Sequence, residues 1–319
     1  MDPEAADSIA AGAIMTTVRN LIFLLVALPL FADPIGTLVD IGHGRKMHLV
    51  CFGSGSPTVV MESGAAEGFY TWWLVQQQLR GEMRTCSYDR AGFGWSDPPP
   101  SRSIANYVDD LHALLMAAGE KPPFILAGHS MGASIVQRYY WRFPSEVAGI
   151  ILVDPANDEG GFPHFPAMQQ AVAENRARRT KEMDEWRAKN SWPAQSFPSE
   201  LPKDLHDKLV AASASRNWWE ARFGEGALPD LEPVMTPEQR HIAVPLVVIT
   251  AGKPAKPPNW SDETQAAFQA RWIAMQDEIA SRSPKSKRVL APASHRVQLE
   301  APSFVSDQIR ALARSLAAH

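Results

Sequence analysis

Residues 124–142 read FILAGHSMGASIVQRYYWR, and the fold is decided by this stretch. Phe124–Ala127 is apolar without a break, as in a strand covered on both faces. Ala133–Arg142 reads as a helix rich in aromatic residues. Between them stands Gly128-His129-Ser130-Met131-Gly132, a G-x-S-x-G pattern at a strand-to-helix turn. A serine on so tight a turn has a strained backbone and needs small neighbours, and Gly128 and Gly132 supply the room. The helix that follows aims its N-terminal dipole and free N–H groups at any anion that forms there. The pattern alone is only moderately specific; with a strand before it and a helix after it, Ser130 becomes a candidate nucleophile.

Working outward, the same alternation continues. Gly36–Ile41 and Lys46–Phe52 are β-rich runs joined through Gly42-His-Gly44, which predicts an antiparallel hairpin. Thr58–Met61 and Arg84–Tyr88 are further strand candidates, and Ile104, Tyr107, Leu111, Leu114 and Leu115 recur at helical spacing. Val147–Val153 is almost continuously apolar, and Val244–Thr250 and Lys287–Ala291 complete the strands. Phe268, Trp272, Met275 and Ile279 mark one late helix; Val305, Ile309, Leu312 and Leu316 mark the last. Strands alternating with helices predict a mostly parallel sheet with helices on both faces. Between Pro155 and Arg240 the alternation stops. That stretch offers two polar helical candidates, Pro166–Asn190 and Lys203–Phe223, and no strand.

Composition excludes several classes. The chain has 319 residues, 45% hydrophobic and 21% charged, which disfavours disorder and collagen-like repeats. With 31 basic and 35 acidic side chains, its net charge of −4 gives no electrostatic reason for a nucleic-acid partner. Two cysteines, Cys51 and Cys86, form neither a disulfide framework nor a zinc cluster. Both fall in candidate strands. Export would let them pair, but two buried free thiols is the favoured reading.

Leu21–Ala32 reads LIFLLVALPLFA after Arg19. It is shorter than the roughly 20 residues of a membrane-spanning helix and resembles a secretory h-region, with Ala32 as the cleavage position. Met15 offers an alternative start of translation, and a helix packed on the domain is the structural alternative. The expectation is an exported or membrane-anchored protein, with cytoplasmic residence as the alternative. Membrane contact is expected only through this segment.

Four features together resemble the α/β-hydrolase superfamily, specifically its serine esterase and lipase-like members with a helical cap. They are Glu62-Ser-Gly-Ala65 after the third strand, the segment Ser87–Asp97 (SYDRAGFGWSD), the Gly128–Gly132 turn, and Ser294-His295 near the end. The resemblance covers Gly36 to the C-terminus. It implies an α/β-hydrolase fold: a mostly parallel eight-stranded sheet flanked by helices, with an inserted helical cap. Residues 1–32 would be the signal or anchor, 33–154 and 241–319 the core, and 155–240 the cap. The Asp89–Asp97 loop would shape the floor of the site, with Arg90 or Trp95 at the pocket's border.

The resemblance also implies the site. In this fold the base follows the last strand, which selects His295 over the other histidines; His129 adjoins the serine but its ring should point elsewhere. Many relatives carry the acid in a Gly-x-x-Asp turn after the seventh strand, but here that turn reads Gly252-Lys-Pro-Ala255. Asp154, at the end of the sixth strand, is the preferred acid and Asp262 the alternative. The oxyanion donors would be the backbone N–H groups of Ala65 and Met131. Aromatic residues of the inserted block, Phe162, Phe165, Met168, Trp186, Trp192, Trp218 and Trp219, read as cap packing rather than ligand contacts.

The chain has no His-x-His pair, no H-E-x-x-H and no phosphate-binding glycine loop, so neither metal nor cofactor is expected. The expected reaction is hydrolysis of a small-molecule carboxylic ester through an acyl-enzyme. Alternatives are an amidase or aminopeptidase-like activity, a C–C bond hydrolase, and a ligand-binding receptor on the same scaffold.

Overall fold

The apolar runs become the middle of one sheet. The computed structural model describes residues 35–156, 166–225, 236, 238, 240–253 and 260–317. Its strands are β1 (Thr37–Asp40), β2 (Lys46–Phe52), β3 (Thr58–Glu62), β4 (Thr85–Tyr88), β5 (Phe124–His129), β6 (Val147–Val153), β7 (Leu246–Ala251) and β8 (Ser286–Ala291). They form an eight-stranded sheet in the order β1-β2-β4-β3-β5-β6-β7-β8. The first hairpin and the β2/β4 pair are antiparallel; every other pair is parallel. This is the α/β-hydrolase arrangement that the sequence led us to expect. β7 begins just after Pro245, which has no N–H to donate to the ladder.

Strand periodicity sorts side chains between two cores. Phe124, Leu126, Ile150, Leu152, Leu246 and Val248 pack on one face against α2 (Ile104–Ala117), α3 (Met131–Arg142) and α7 (Asp262–Ser281). Their alternates Ile125, Ala127, Ile151, Val153, Val247 and Ile249 pack on the other, against α1 (Trp73–Leu79), α8 (Val297–Glu300) and α9 (Pro302–Ala317). The stripes read from the sequence, Trp272–Met275–Ile279 on α7 and Val305–Ile309–Leu312 on α9, are the faces that cover the sheet. The 3-10 turn Phe69–Trp72 and α1 were not anticipated.

Among the described residues three helices lie between β6 and β7: α4 (Pro166–Lys189), α5 (Lys203–Ser213) and α6 (Arg216–Glu225). The single helix expected over Lys203–Phe223 is two. Ala214 leaves helical geometry (ψ 44°), and the Ser215 hydroxyl accepts the Trp218 N–H at 3.4 Å, capping a new start. Leu205, Leu209 and Trp218 pack with Phe69, Tyr70 and Phe93 of the core, and Trp186 meets Trp219 at 4.7 Å. Phe162, Phe165 and the Met168 side chain lie outside the described residues, as does the 1–32 segment. Among the described residues no helix is long and apolar enough to cross a membrane.

The cysteine expectation needs correction. Cys51 and Cys86 face each other in the β2/β4 register, their Cα atoms are 4.1 Å apart, and they form a disulfide. Directly opposed residues of an antiparallel pair come this close where they do not exchange backbone hydrogen bonds. The sequence located both strands without revealing that they are neighbours.

Candidate active site

The strands that carry the site end level with one another. Glu62 of β3 lies beside Gly128, His129 beside Val153, and Val153 beside Ile249. The residues just past these ends therefore gather along one edge, where the chain order reverses between β3 and β5. Ligands of open α/β sheets bind at such a reversal.

Ser130 sits there with φ 51° and ψ −119°, outside the regions an L-residue prefers, and α3 begins at the next residue. Such a conformation costs roughly 1–3 kcal/mol and must be imposed by its surroundings. Its N–H donates to Val153 O at 3.1 Å, and its carbonyl accepts from Ala133 and Ala156. A Cβ on Gly128 would lie 2.6 Å from Gly132 O, and one on Gly132 2.5 Å from Ser63 O. Both glycines are there for space, as the turn predicted.

His295 stands against Ser130 on the loop after β8. Its Nε2 is 3.1 Å from Ser130 Oγ and accepts that hydroxyl's proton; its Nδ1–H donates to Asp154 Oδ2 at 2.7 Å. Asp154 is 1% exposed. Its other oxygen, Oδ1, accepts from Ala251 N (2.9 Å), Trp272 Nε1 (3.0 Å) and Gln276 Nε2 (3.1 Å). Both carboxylate oxygens are thus occupied and Oδ2 is aimed at the imidazole. Asp262, the alternative acid, is an exposed residue in the first turn of α7, and the sequence Gly252-Lys-Pro-Ala255 after β7 contains no carboxylate. The sequence missed Trp272 and Gln276 as partners of Asp154. Trp272 belongs to the apolar stripe of α7, and Gln276 lies four residues on, on the same helix face.

His129 points away from the serine. Its Nε2–H donates to the His295 carbonyl at 2.8 Å, its ring lies 4.8 Å from the His295 ring, and its Nδ1 is 3.3 Å from Glu67 Oε2. Glu67 also pairs with Arg296 at 2.9 Å. Burial alone would raise the Glu67 carboxyl, but His129, Arg296 and His295 outweigh it and hold it down at about 2. On the far side of the loop, Ser294 N–H and Oγ–H both donate to Glu300.

The loop after β3 carries Ala65, exposed in a turn, next to Ala66 at φ 61°. Met131 is the first residue of α3, so its N–H has no partner within the helix. Arg90 lies buried beneath the loop rather than at a pocket's border. Its Nη1 donates to Glu62 Oε1 (2.5 Å) and Ser63 O (2.7 Å), and its Nη2 to Gly64 O (2.6 Å). Glu62 is further held by the Tyr88 hydroxyl. Trp95 packs against His48 and Phe69. Among the described residues the one set within metal-ligand reach is Cys51, Cys86 and Glu120, and its two sulfurs are joined in the disulfide.

Comparison with known proteins identifies the family and the fold. The profile of the alpha/beta hydrolase family matches residues 42–308. A Bacillus subtilis protein of uncharacterised function, YqjL, is 34% identical over 116 residues, 36% of this chain and 46% of its own length. The chain spans less than half the length of the curated relatives it matches first. An esterase from Thermogutta terrifontis superposes with a TM-score of 0.60 at 21% identity, covering 88% of this chain and 97% of that one. An epoxide hydrolase, CorEH, superposes with a TM-score of 0.61 at 17% identity, covering 87% and 98%. At these identities the two structures speak for the fold alone.

Proposed function

The chain belongs to the alpha/beta hydrolase family, and from that premise we propose that it is a serine hydrolase cleaving small-molecule carboxylic esters through an acyl-enzyme. The observation that carries this reading is the hydrogen-bonded series Ser130 Oγ–His295–Asp154, at 3.1 and 2.7 Å. Ser130 Oγ attacks the ester carbonyl as its proton passes to His295 Nε2. The carbonyl oxygen becomes an oxyanion facing the N–H groups of Ala65 and Met131. Collapse breaks the bond to the leaving alkoxide, which takes the proton from His295. Water then repeats the sequence, giving its proton to His295, and the acid leaves as Ser130 recovers its hydrogen.

Asp154 fixes the imidazole tautomer and stabilises the imidazolium without taking the proton itself. A positioned base of this kind contributes on the order of 10²–10⁴ in rate. Each oxyanion donor contributes roughly 2.7–4 kcal/mol. The resident serine sets this chain apart from hydrolases that open epoxides with a carboxylate nucleophile, although CorEH shares the fold. Nothing in this scheme asks for a metal or cofactor.

In the proposed organisation residues 33–154 and 241–319 form the catalytic core and 155–240 the cap. The apolar run Leu21–Ala32 and the Cys51–Cys86 disulfide together support export to an oxidising compartment. The functional test is hydrolysis of p-nitrophenyl acetate and butyrate. Turnover that disappears in Ser130→Ala supports the reading, and no turnover of either ester by the wild-type protein refutes it.

A further inference from the structure

An oxyanion hole works only if its donors are fixed before charge develops. Met131 is fixed by α3. The loop carrying Ala65 has no strand partner past Glu62, so side chains must hold it. Arg90 reaches three of the loop's carbonyls, those of Ser63, Gly64 and, at 3.3 Å, Glu67. The rest of its guanidinium faces the inserted helices. Its Nε donates to Glu225 Oε1 at 2.7 Å and its Nη2 to Glu225 Oε2 at 2.9 Å. Both side chains are almost wholly buried.

Glu225 then does something an ion-pair partner need not do. Its Oε2 also accepts the Ala66 N–H at 2.6 Å. One turn earlier on α6, Arg222 Nη1 donates to the Ala66 carbonyl at 2.6 Å. The N–H and C=O of one residue are thus both held by a single face of α6. That residue has a left-handed backbone, φ 61° without being glycine, a conformation that persists only where its surroundings over-determine it. It directly follows Ala65. The turn that would aim the Ala65 N–H is therefore shaped from the inserted helices as much as from the sheet.

Building on the esterase reading, we propose that Glu225 is a positioning residue for the oxyanion donor, and that docking of α6 completes the hole. The inserted helices would then do more than cover the site. When α6 is displaced, Ala66 loses both partners and the donor beside it loses its aim, while Ser130, His295 and Asp154 keep their mutual contacts.

The test compares wild type with Glu225→Ala, Glu225→Gln and Arg222→Ala, using p-nitrophenyl butyrate and a trifluoromethyl ketone whose hemiketal oxyanion occupies the same hole. Misplacement of a catalytic group by about 1 Å costs on the order of 10²-fold. We expect kcat for Glu225→Ala to fall about 10- to 100-fold with KM within about threefold, and the Ki of the ketone to rise in parallel. Glu225→Gln, which keeps an acceptor for the Ala66 N–H, should recover most of the loss. Arg222→Ala leaves the Arg90–Glu225 pair intact and serves if Glu225→Ala does not fold; it should show a smaller fall with the same parallel in Ki. A merely structural role would lower thermal stability while leaving kcat and Ki of the folded protein at wild-type values, and that result overturns the proposal. Absence of both turnover and ketone binding in wild type would instead overturn the esterase reading itself.

Discussion

His129 Nε2 donates a hydrogen bond to the backbone carbonyl of His295 at 2.8 Å, so the residue just before the proposed nucleophile braces the loop that bears the proposed base. His129→Ala removes this brace without touching Ser130, His295 or Asp154. We predict a fall in kcat of about 10- to 100-fold with KM little changed, from loss of alignment between Ser130 and His295. His129→Gln, which retains an amide donor, should recover part of the activity. Steady-state kinetics on p-nitrophenyl butyrate checks both, and equal activity in all three proteins would remove His129 from the account.

The acid is tested by a pair of substitutions. Asp154→Asn should lower kcat by about 10³–10⁴, since the imidazole loses its orienting carboxylate. Asp262→Asn should leave kcat within about twofold, because surface positions remote from the reacting groups change little. Gln276→Leu takes one of three donors from Asp154 Oδ1 and should fall between them. A large loss in Asp262→Asn with little in Asp154→Asn would reverse the assignment.

Acid stability should report on Glu67. Its carboxyl is held at about 2 against an ordinary value of 4.5. A depressed carboxylate contributes stability that is fully present above its unfolded value and is lost as pH falls through 4.5 toward 2. The difference corresponds to roughly 3 kcal/mol for this buried group. In urea unfolding, wild type should therefore lose more stability than Glu67→Gln between about pH 5 and 2.5. Parallel pH profiles would contradict the role given to His129 and Arg296 around this carboxylate.

Reduction should weaken the fold without silencing the site. The Cys51–Cys86 disulfide closes a sequence separation of 35, near Thr58 at the start of β3 and Glu120, which accepts the Thr58 hydroxyl. Ser130 lies past the opposite end of the parallel strands. Loss of the bridge should cost about 2–4 kcal/mol and leave kcat within about twofold under native conditions. Urea midpoints and initial rates with and without reductant measure the two effects. An unchanged midpoint, or a collapse of kcat at wild-type stability, would contradict this.

The elements legible in the residues themselves share one cause, a short-range pattern, whereas His295 and Asp154 are expected only through the resemblance to the α/β-hydrolase superfamily. The strand–Gly–x–Ser–x–Gly–helix turn needed only the residues around Ser130. The strands β5, β6 and β7 announced themselves as unbroken apolar runs, and α7 and α9 by their stripes. What stayed hidden depended on which elements become neighbours. Cys51 and Cys86 each sit in a strand that was found, but only the antiparallel register joins them. Trp272 and Gln276 reach Asp154 from a helix more than a hundred positions away, and nothing local to α7 distinguishes a donor from a core residue. Glu225 meets Ala66 and Arg90 only because α6 folds back on the loop after β3.

The central claim, that Ser130 is a nucleophile activated by His295, is tested most directly by covalent labelling. Wild-type protein, Ser130→Ala and His295→Ala would each be incubated with a fluorophosphonate, and the adduct located by mass spectrometry of the peptides. The account predicts one adduct per chain on Ser130 in wild type, none in Ser130→Ala and strongly slowed labelling in His295→Ala. An unlabelled wild-type Ser130 in folded protein, or an adduct that persists in Ser130→Ala, would contradict it.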